Sequence, residues 1–404
     1  MISLLIIFLS VALLIAVIGV CVFLRPWRTV AAYREPEPSD SDGAALPGVS
    51  VVTYALRDTE NLSDYLDIIL RQDYPDFEVI VVCDATAEAT ATISEKFADV
   101  GNLHITFIPP GSHSLSRRKL AQTVGIKAAS KDVVVITSTS VTPQSDEWLR
   151  RLATPLADPD TSLSLGYIHY RFDDFHGAGR WYRQFDSLLT SAQWLDSAIS
   201  GHPYRGDGFN LAFRRHLFFD NKGYASSITY MDGDDDIFIH EIASTGGCAV
   251  TLDPDSIVES HPGREANRLH DSMKARYMFT RRHLPALPFL IASMAEWTNW
   301  LLLILCALLS TCAAIFLPHI YDPAPDHTRM LAGVMSAGAA LICILIALAF
   351  YISEIIIYRR LANRLGAVRL FWAVVPFMLW RPFGNLIFRF RRRSSRRAHY
   401  VWEN

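Results

Sequence analysis

The chain has 404 residues, half of them hydrophobic, and its 38 basic and 41 acidic side chains give a formal net charge of −3. This length exceeds one typical domain, and a near-neutral chain whose arginines cluster beside apolar runs does not favour nucleic acid as a partner. The six cysteines show no metal-ligand spacing. We therefore expect neither a zinc site nor a disulfide framework.

Three long apolar runs predict helices that cross a membrane. They cover residues 2–24, about 297–317 and about 330–357, and each can span a hydrocarbon core of about 30 Å as a helix. The first run has no basic start, is too long for a signal peptide and is followed by arginines. We therefore interpret it as an anchor that stays in the protein.

Arginines beside these runs predict a single orientation. They lie at 25–34, at 281–282 and at 359–364, whereas the linker 318–329 carries only Arg329. Because positive charge marks the cytoplasmic side of a span, the region between the first two spans and the C-terminus are predicted to be cytoplasmic. The chain is thus expected to be a multi-pass protein of the inner membrane.

The sequence pattern divides the chain into five segments. They are an anchor at 1–24, a linker at 25–48, a domain at 49–285, two transmembrane helices at 286–358, and an interfacial segment with a basic cytoplasmic tail at 359–404. Within the last segment, residues 370–390 are interrupted by Arg381 and Pro382, which favours an amphipathic or re-entrant element. The arginines of 389–397 suit anionic lipid heads, and a solvated disordered tail is the alternative.

Strands and helices are predicted to alternate through the first part of the domain. Strands are predicted at 49–54, 77–83, 104–108 and 133–136, and helices at 58–72, 86–97 and 116–130. This alternation is typical of a parallel sheet covered by helices on both faces. Ligands bind beyond the carboxyl ends of such strands, where Tyr54, Arg57, Asp84 and Ser138–Ser140 fall.

Four sequence blocks, in this order, resemble the family 2 glycosyltransferases. They are 49–84 with its Gln-Asp-Tyr-Pro-Asp-Phe-Glu-Val-Ile-Val-Val-Cys-Asp, Ser-Arg-Arg-Lys-Leu-Ala at 116–121, Gly-Asp-Gly-Phe-Asn-Leu-Ala-Phe-Arg-Arg at 206–215, and Gly-Asp-Asp-Asp at 233–236. The resemblance covers roughly 49–285. It implies an α/β nucleotide-diphospho-sugar transferase (GT-A-like) fold with a mostly parallel mixed sheet, here with transmembrane helices at both ends.

The resemblance also implies a nucleotide-sugar donor site. The acidic residue that ends the second strand contacts the base in this family, and Asp84 stands there; its alternative role is the N-cap of the next helix. Tyr54 ends the first strand beside Arg57, which can pair with a diphosphate or be a surface arginine. Lys119 is a candidate for phosphate support, with a solvated helix-surface lysine as the alternative.

The metal site departs from the family pattern. Two carboxylates usually follow the strand at 133–136 and hold a divalent cation, but Ser138 and Ser140 stand there. Neutral hydroxyls bind Mg²⁺ or Mn²⁺ poorly. Three explanations remain open: another acid or His261 holds the metal, Arg57 and other basic groups replace it, or the donor site has decayed.

The catalytic base is expected in the acidic run Met-Asp-Gly-Asp-Asp-Asp-Ile-Phe-Ile at 231–239. The resemblance implies that Asp235 removes the acceptor proton, with Asp234 beside it. Three adjacent aspartates repel, which should raise the proton affinity of at least one of them. The alternative is a solvated turn closed by Asp232 and Gly233.

An acceptor or phosphate region is predicted in two places. Gly206, Asp207 and Asn210 precede a strand, and the glycines suit close approach to an acceptor or to the acidic run; an ordinary turn is the alternative. The family's Gln-x-x-Arg-Trp appears in altered form, in which Arg276 could hold a phosphate and Tyr277 could stack on a sugar. This departure argues against processive polymer synthesis.

We therefore expect a membrane-anchored inverting glycosyltransferase. It would move a sugar from a nucleotide-diphospho-sugar to a lipid-linked or cell-envelope saccharide acceptor, with membrane lipid as a further partner. A non-catalytic scaffold or sugar-nucleotide sensor is the alternative, favoured by Ser138 and Ser140 and opposed by the intact acidic run. A transporter is not favoured, because the spans show no midplane charge pair or repeat.

Overall fold

The computed structural model describes residues 2–36, 46–55, 61–83, 87–108, 116–174, 176–177, 179–243, 246–316, 318 and 327–393. The chain divides into two compact units. The helical unit consists of Met1–Ala31, Leu287–Asn363 and Val368–Ser394, and the α/β unit contains Ala32–Ala286 together with Arg364–Ala367.

Ten strands and thirteen α-helices lie in the described part of the chain. The helices are α1 Ile2–Ile18, α2 Arg25–Ala32, α3 Leu62–Leu70, α4 Ala87–Lys96, α5 Arg117–Ala128, α6 Trp148–Ala153, α7 Arg180–Ile199, α8 Arg215–Asp220, α9 Ile237–Ile242, α10 Ala266–Thr280, α11 Ala286–Phe316, α12 His327–Arg364 and α13 Val374–Arg393. The strands are β1 Val49–Ala55, β2 Phe77–Cys83, β3 Leu103–Phe107, β4 Val133–Ser138, β5 Thr142–Pro143, β6 Thr161–Gly166, β7 Ile168–Tyr170, β8 Leu211–Arg214, β9 Gly247–Thr251 and β10 Val258–Ser260.

A seven-stranded mixed sheet forms the centre of the α/β unit. Its strand order is β3-β2-β1-β4-β8-β6-β9. Strand β1 runs parallel to β2 and β4, whereas β8 is antiparallel to β4 and β6. The expected α/β fold with a mostly parallel mixed sheet is confirmed. Strand β4 extends two residues beyond its predicted end, because Thr137 and Ser138 continue the pairing with β1.

The two faces of this sheet bury alternate residues of each strand. Val51 and Val81 share a core cluster with the helix-spaced Leu62, Leu66 and Ile69 of α3. Their neighbours on β1 and β2 point to the other face, where α5 packs. Both faces are thus covered, which is why these strands read as continuous apolar runs rather than alternating ones.

A second sheet of three short strands was not predicted. Its order is β5-β10-β7, with β10 antiparallel to β5 and parallel to β7. Strands of two or three residues carry no recognisable periodicity, so the sequence pattern gave no signal for them.

The helical unit contains three helices that are long and apolar enough to cross a membrane. Within the described residues they cover Ser3–Phe23, Ala286–Phe316 and His327–Arg364, so each predicted run lies largely in such a helix. A Cβ atom on Gly19 would lie 2.5 Å from Cε2 of Phe350. The glycine therefore permits the first and third of these helices to approach closely, as small residues do in membrane bundles.

The predicted amphipathic segment at 370–390 lies largely in α13, which continues through Pro382. Polar groups connect α13 to α11. The Asn385 amide donates to Glu296 Oε1 at 2.6 Å, and the Trp300 indole donates to the carbonyl of Leu379 at 2.8 Å. Placement of this helix at a membrane interface stays a prediction.

Gly125 permits the contact between α5 and the sheet and gives a test of this packing. A Cβ atom there would overlap Cγ1 of Val52 and lie 3.1 Å from Cγ2 of Val82. We expect Gly125→Val to lower the free energy of unfolding of the detergent-solubilised protein by about 1–3 kcal/mol through overpacking. The matched change Gly101→Val, in an exposed turn with no atom within 4 Å of the new Cβ, should change it by less than about 0.5 kcal/mol. Equal thermal unfolding curves for both variants would contradict the packing described.

Candidate active site

The candidate site begins at the carboxyl ends of β1 and β4, where Tyr54 and Ser138 lie side by side in register. Tyr54 is buried, and its ring packs edge-on against Phe209 with the centroids 5.9 Å apart. Burial raises the pKa of the Tyr54 phenol, with Arg118 and Asp234 close enough to act on it in opposite directions. The tyrosine is therefore neutral and forms one wall of the site.

The acidic segment, residues 232–236, connects this site to α9. Gly233 adopts φ of +111°, a conformation that other residues rarely adopt. Asp236 is the N-cap of α9, and its side chain accepts a hydrogen bond from the Ile237 backbone N–H at 2.8 Å. Asp234, Asp235 and Asp236 are 4 %, 2 % and 0 % exposed. The alternative of a solvated turn is therefore wrong for these three aspartates, because they are buried.

Each of the three buried aspartates faces an arginine. They form the pairs Asp234–Arg118, Asp235–Arg276 with 3.0 Å between the guanidinium nitrogen and Oδ2, and Asp236–Arg205 at 3.7 Å. The arginines come from α5, from α10 and from the loop after α7. Buried charges need such partners, because an unpaired one costs several kcal/mol. The pairs therefore join three distant parts of the chain at one place.

Asp235 has two oxygens in different surroundings. Oδ2 is held by Arg276, whereas Oδ1 is buried and has no hydrogen-bond partner among the described residues. Burial raises the pKa of this carboxyl to about 6; Arg276 opposes the rise, and Asp234 and Asp236 add to it. The predicted rise within the aspartate run is confirmed, although burial contributes more than repulsion.

The Gly206–Asn210 loop lies directly against the acidic segment. The Gly206 backbone N–H donates to the carbonyl of Asp235 at 3.1 Å. A Cβ atom on Gly208 would lie 2.6 Å from the Asp235 Cβ. Glycine at 208 therefore allows a close approach that a larger residue would prevent, and the predicted approach of these glycines to the acidic run is confirmed.

Asp207 and Asn210 hold this loop against other segments of the α/β unit. Buried Asp207 accepts from the Ile168 backbone N–H at 3.0 Å, and its burial raises the pKa of the carboxyl to about 7. Asn210 donates to the carbonyls of Tyr167 and Ser256 and accepts from the Trp148 indole, all within 2.9–3.0 Å. Contact of Asp207 and Asn210 with an acceptor stays a prediction, since both side chains already hold backbone or side-chain groups.

Lys119 is buried, in contrast to the predicted alternative of a solvated surface lysine. Its ammonium donates to the backbone carbonyls of Ser227, Tyr230 and Asp232 and to the Ser227 hydroxyl. Burial lowers the pKa of Lys119 to about 8, and Asp234 opposes this change. Lys119 therefore holds the loop that leads into the acidic segment through hydrogen bonds to its backbone. Contact of Lys119 with a donor phosphate stays a prediction.

Tyr277 lies beneath a guanidinium group. The Arg205 side chain sits 3.8 Å from the centroid of its ring, and Arg276 lies 5.4 Å from it. This is a cation–π arrangement on a half-buried ring. Arg205 thus covers one face of the Tyr277 ring. Stacking of a sugar on the other face stays a prediction.

The positions predicted for a metal do not fit a divalent cation. The Ser138 and Ser140 hydroxyls hydrogen-bond each other at 3.1 Å. Both ring nitrogens of exposed His261 face carboxylates, at 2.9 Å from Asp174 and 3.2 Å from Glu259. Within the described ranges, no group of three or more histidines, cysteines or acids could hold a metal. The donor set is thus two neutral hydroxyls, which are poor ligands for Mg²⁺ or Mn²⁺.

Arg57 and Asp84 lie outside the described residues, so their predicted contacts with the donor stay predictions. Sequence reasoning missed Arg118 and Arg205, which pair with Asp234 and Asp236. Arg118 is part of the recognised block at 116–121, and Arg205 directly precedes the block at 206–215. An arginine within or directly beside a family motif is the signal that could have indicated them.

The role of Lys119 can be tested against Lys127, an exposed lysine on the same helix. We expect Lys119→Met to leave three carbonyls without their charged donor and to lower the free energy of unfolding by about 1–3 kcal/mol. Limited proteolysis should then cut within 224–232. Lys127→Met should leave both the thermal unfolding curve and the proteolysis pattern unchanged. Protection of 224–232 in the Lys119 variant would show that the loop is held by other contacts.

Residues 47–167 match the family model described as glycosyltransferase like family 2. This match includes β1 to β6 and ends before the Gly206–Asn210 loop and the acidic segment. Over 229 residues the chain is 24% identical to glycosyltransferase AglE of Haloferax volcanii, an alignment that covers 56% of this chain and 70% of the relative.

Two solved structures are similar to the chain at low sequence identity. Mannosyltransferase PcManGT from Pyrobaculum calidifontis, in complex with GDP-Man and Mn²⁺, is 20% identical with a TM-score of 0.49, and the alignment covers 86% of this chain and 99% of PcManGT. S. aureus TarS 1–349, in complex with UDP-GlcNAc, is 15% identical with a TM-score of 0.40, covering 88% and 93%. The family match over residues 47–167 and the relative from Haloferax, together with the sheet described above, show that the chain is similar to the family 2 glycosyltransferases.

Proposed function

We propose that the protein is a membrane-anchored, inverting glycosyltransferase. It transfers a sugar from a nucleotide-diphospho-sugar to a lipid-linked or cell-envelope saccharide acceptor, with the α/β unit on the cytoplasmic side of the inner membrane. The observation that carries the proposal is Asp235, a buried carboxyl in the site with a raised pKa and one oxygen without a hydrogen-bond partner among the described residues.

Asp235 has the properties that a general base requires. An inverting transfer forms a bond between the acceptor oxygen and the anomeric carbon while the bond to the diphosphate breaks. The acceptor proton must pass to a base as this happens. Oδ1 offers a free lone pair, and Arg276 holds Oδ2 and so fixes the orientation of the carboxylate. A pKa of about 6 keeps the group ionised, yet basic, near neutral pH.

The donor would lie at the carboxyl ends of β1 and β4. Tyr54 supplies a neutral wall there, while Arg57 and Asp84 are proposed to contact the diphosphate and the base. Negative charge grows on the diphosphate as the sugar leaves, and a guanidinium group can stabilise it. We assign this part to Arg57, since Arg118 and Arg276 already face aspartates.

The membrane location rests on the apolar helices and the arginines that flank them. Three helices have the length and composition of membrane spans. The arginines beside them favour a cytoplasmic α/β unit. An acceptor that resides in the membrane, such as a lipid-linked saccharide, would meet an enzyme that is itself held there.

A non-catalytic scaffold or sugar-nucleotide sensor is the second candidate. The observation that favours it is the pair of serines, Ser138 and Ser140, at positions where the family uses carboxylates. Their hydroxyls bond each other. A protein that only binds a sugar nucleotide does not need to stabilise a leaving diphosphate, so loss of the metal ligands would be tolerated.

Replacement of Asp235 separates the two candidates. We expect Asp235→Asn to abolish sugar transfer, measured with radiolabelled donor and a membrane extract as acceptor, while donor affinity changes by less than about threefold, because a base acts in the transition state. The matched change Asp220→Asn, on the exposed end of α8, should keep full activity. Since Asp235→Asn leaves Arg276 with a weaker partner, thermal unfolding must show that the variant is folded.

The pH dependence gives an independent test of the base. Because Asp235 must be deprotonated, kcat/KM should fall about tenfold per pH unit below its pKa of about 6. The fall should be fully developed by pH 5, above the pKa of an ordinary aspartate. A flat profile between pH 5 and 7 in an active enzyme would assign the proton transfer to another group.

Removal of divalent metal tests the consequence of having Ser138 and Ser140 where the family has metal-binding carboxylates. If Arg57 stabilises the negative charge of the leaving diphosphate, sugar transfer should continue in the presence of EDTA. Arg57→Ala should then reduce kcat by about 10²–10³-fold, as loss of a charge-stabilising donor does. The double variant Ser138→Asp, Ser140→Asp should acquire Mn²⁺ dependence. If EDTA stops the wild-type protein and Mn²⁺ restores it, ligands other than these two serines hold a metal.

A further inference from the structure

The loop before the acidic segment displays apolar side chains to solvent. Ile228 and Met231 are 42% and 53% exposed. The backbone of this loop is held in place, because the Lys119 ammonium donates to the carbonyls of Ser227 and Tyr230. The loop is thus held in a conformation that presents isoleucine and methionine outward instead of folding them under.

Aromatic and basic groups surround Tyr230, which lies between these two apolar residues in the sequence. The Tyr230 ring lies 5.4 Å from the ring of Phe279 and 4.8 Å from that of His283, and the Arg282 guanidinium lies 5.5 Å from the Phe279 centroid. Arg282 and His283 are exposed. Aliphatic, aromatic and arginine side chains in one place are the combination found at the interface of a bilayer with anionic headgroups. We call Ile228, Tyr230, Met231, Phe279, Arg282 and His283 the loop surface.

The course of the chain favours a lipid bilayer over a protein as the occupant of this surface. The apolar helix α11 begins at Ala286, three residues after His283. Even fully extended, three residues cover only about 11 Å. The basic end of the loop surface is therefore tethered beside the point where the chain enters a candidate membrane span.

We propose that the loop surface docks on the membrane, with Arg282 at anionic lipid headgroups and with Ile228 and Met231 inserted among the lipids. The loop continues directly into Asp232 and the acidic segment. If the proposed function holds and the acceptor resides in the membrane, this contact brings the site to the depth of the acceptor's headgroup. The docking itself does not require the protein to be catalytically active.

Photo-cross-linking in vesicles tests the docking. The full-length protein carries the photoreactive residue benzoylphenylalanine at position 231, is reconstituted in vesicles of phosphatidylcholine and phosphatidylglycerol, and is irradiated; lipid adducts are then identified by mass spectrometry. Gly101 is the control position, since it is exposed and lies at the amino-terminal end of β3, opposite the strand ends that form the site. We expect lipid adducts at 231 and none at 101.

Charge variants test the headgroup contact. With the probe at 231, Arg282→Ala should lower the adduct yield about fivefold in anionic vesicles, the factor expected for one arginine near such a surface. The matched change Arg268→Ala, at an exposed position on α10, should leave the yield unchanged. In vesicles of phosphatidylcholine alone, the adduct yield should be as low as that of Arg282→Ala in anionic vesicles, with or without the Arg282→Ala change.

Several outcomes would overturn the docking. Adducts at 231 with a second copy of the chain, or no adduct at 231 while thermal unfolding shows a folded protein, would each exclude a lipid contact. A probe at 228 repeats the test if the variant at 231 does not fold. Adding Asp235→Asn to the probe variant should leave the lipid adducts unchanged, so a failure of the proposed chemistry and a failure of the docking are distinguishable.

Discussion

Three successive aspartates lie buried at the centre of this domain because three arginines face them. Arg118, Arg205 and Arg276 come from parts of the chain that are far apart in sequence. Loss of any one of them would leave a buried charge without its partner, at a cost of about 3–5 kcal/mol. The positions of α5, α10 and the loop after α7 are therefore linked through the acidic segment. A glycine is needed at 208 because Asp235 of this segment packs directly against its backbone.

The same charge balance gives the two oxygens of Asp235 different properties. A carboxylate whose oxygens were both paired would be weakly basic, and one with no partner would stay protonated. Asp235 lies between these cases, with Arg276 on one oxygen and no partner among the described residues on the other. Its pKa of about 6 follows from burial that Arg276 only partly offsets. An arginine on a separate helix thus sets the reactivity of a residue in a loop.

The sequence predicted those features that depend on local pattern. Strands β1, β2, β3 and β4 are near-continuous apolar runs, and the membrane helices are longer still, so both were recognised. The partners of Lys119 could not be predicted, because they are backbone carbonyls more than 100 residues away that any sequence would supply. Arg118 was overlooked for a related reason. Its pairing with Asp234 depends on how α5 is placed against the acidic segment, which no spacing in the sequence reports.

The buried carboxyl of Asp207 links the stability of the α/β unit to pH. Its pKa is about 7 in the folded protein, against 3.8 for an ordinary aspartate. Between these values the folded chain binds a proton that the unfolded chain does not. The stability that this proton provides is complete below about pH 4 and is lost as the pH rises through about 7. Asp235 acts in the same direction up to about pH 6. Protonation of these two carboxyls on acidification from neutral pH stabilises the folded chain and also removes the charge on the proposed base, so the contribution that Asp235 makes to stability in this way is gained at the expense of its reactivity.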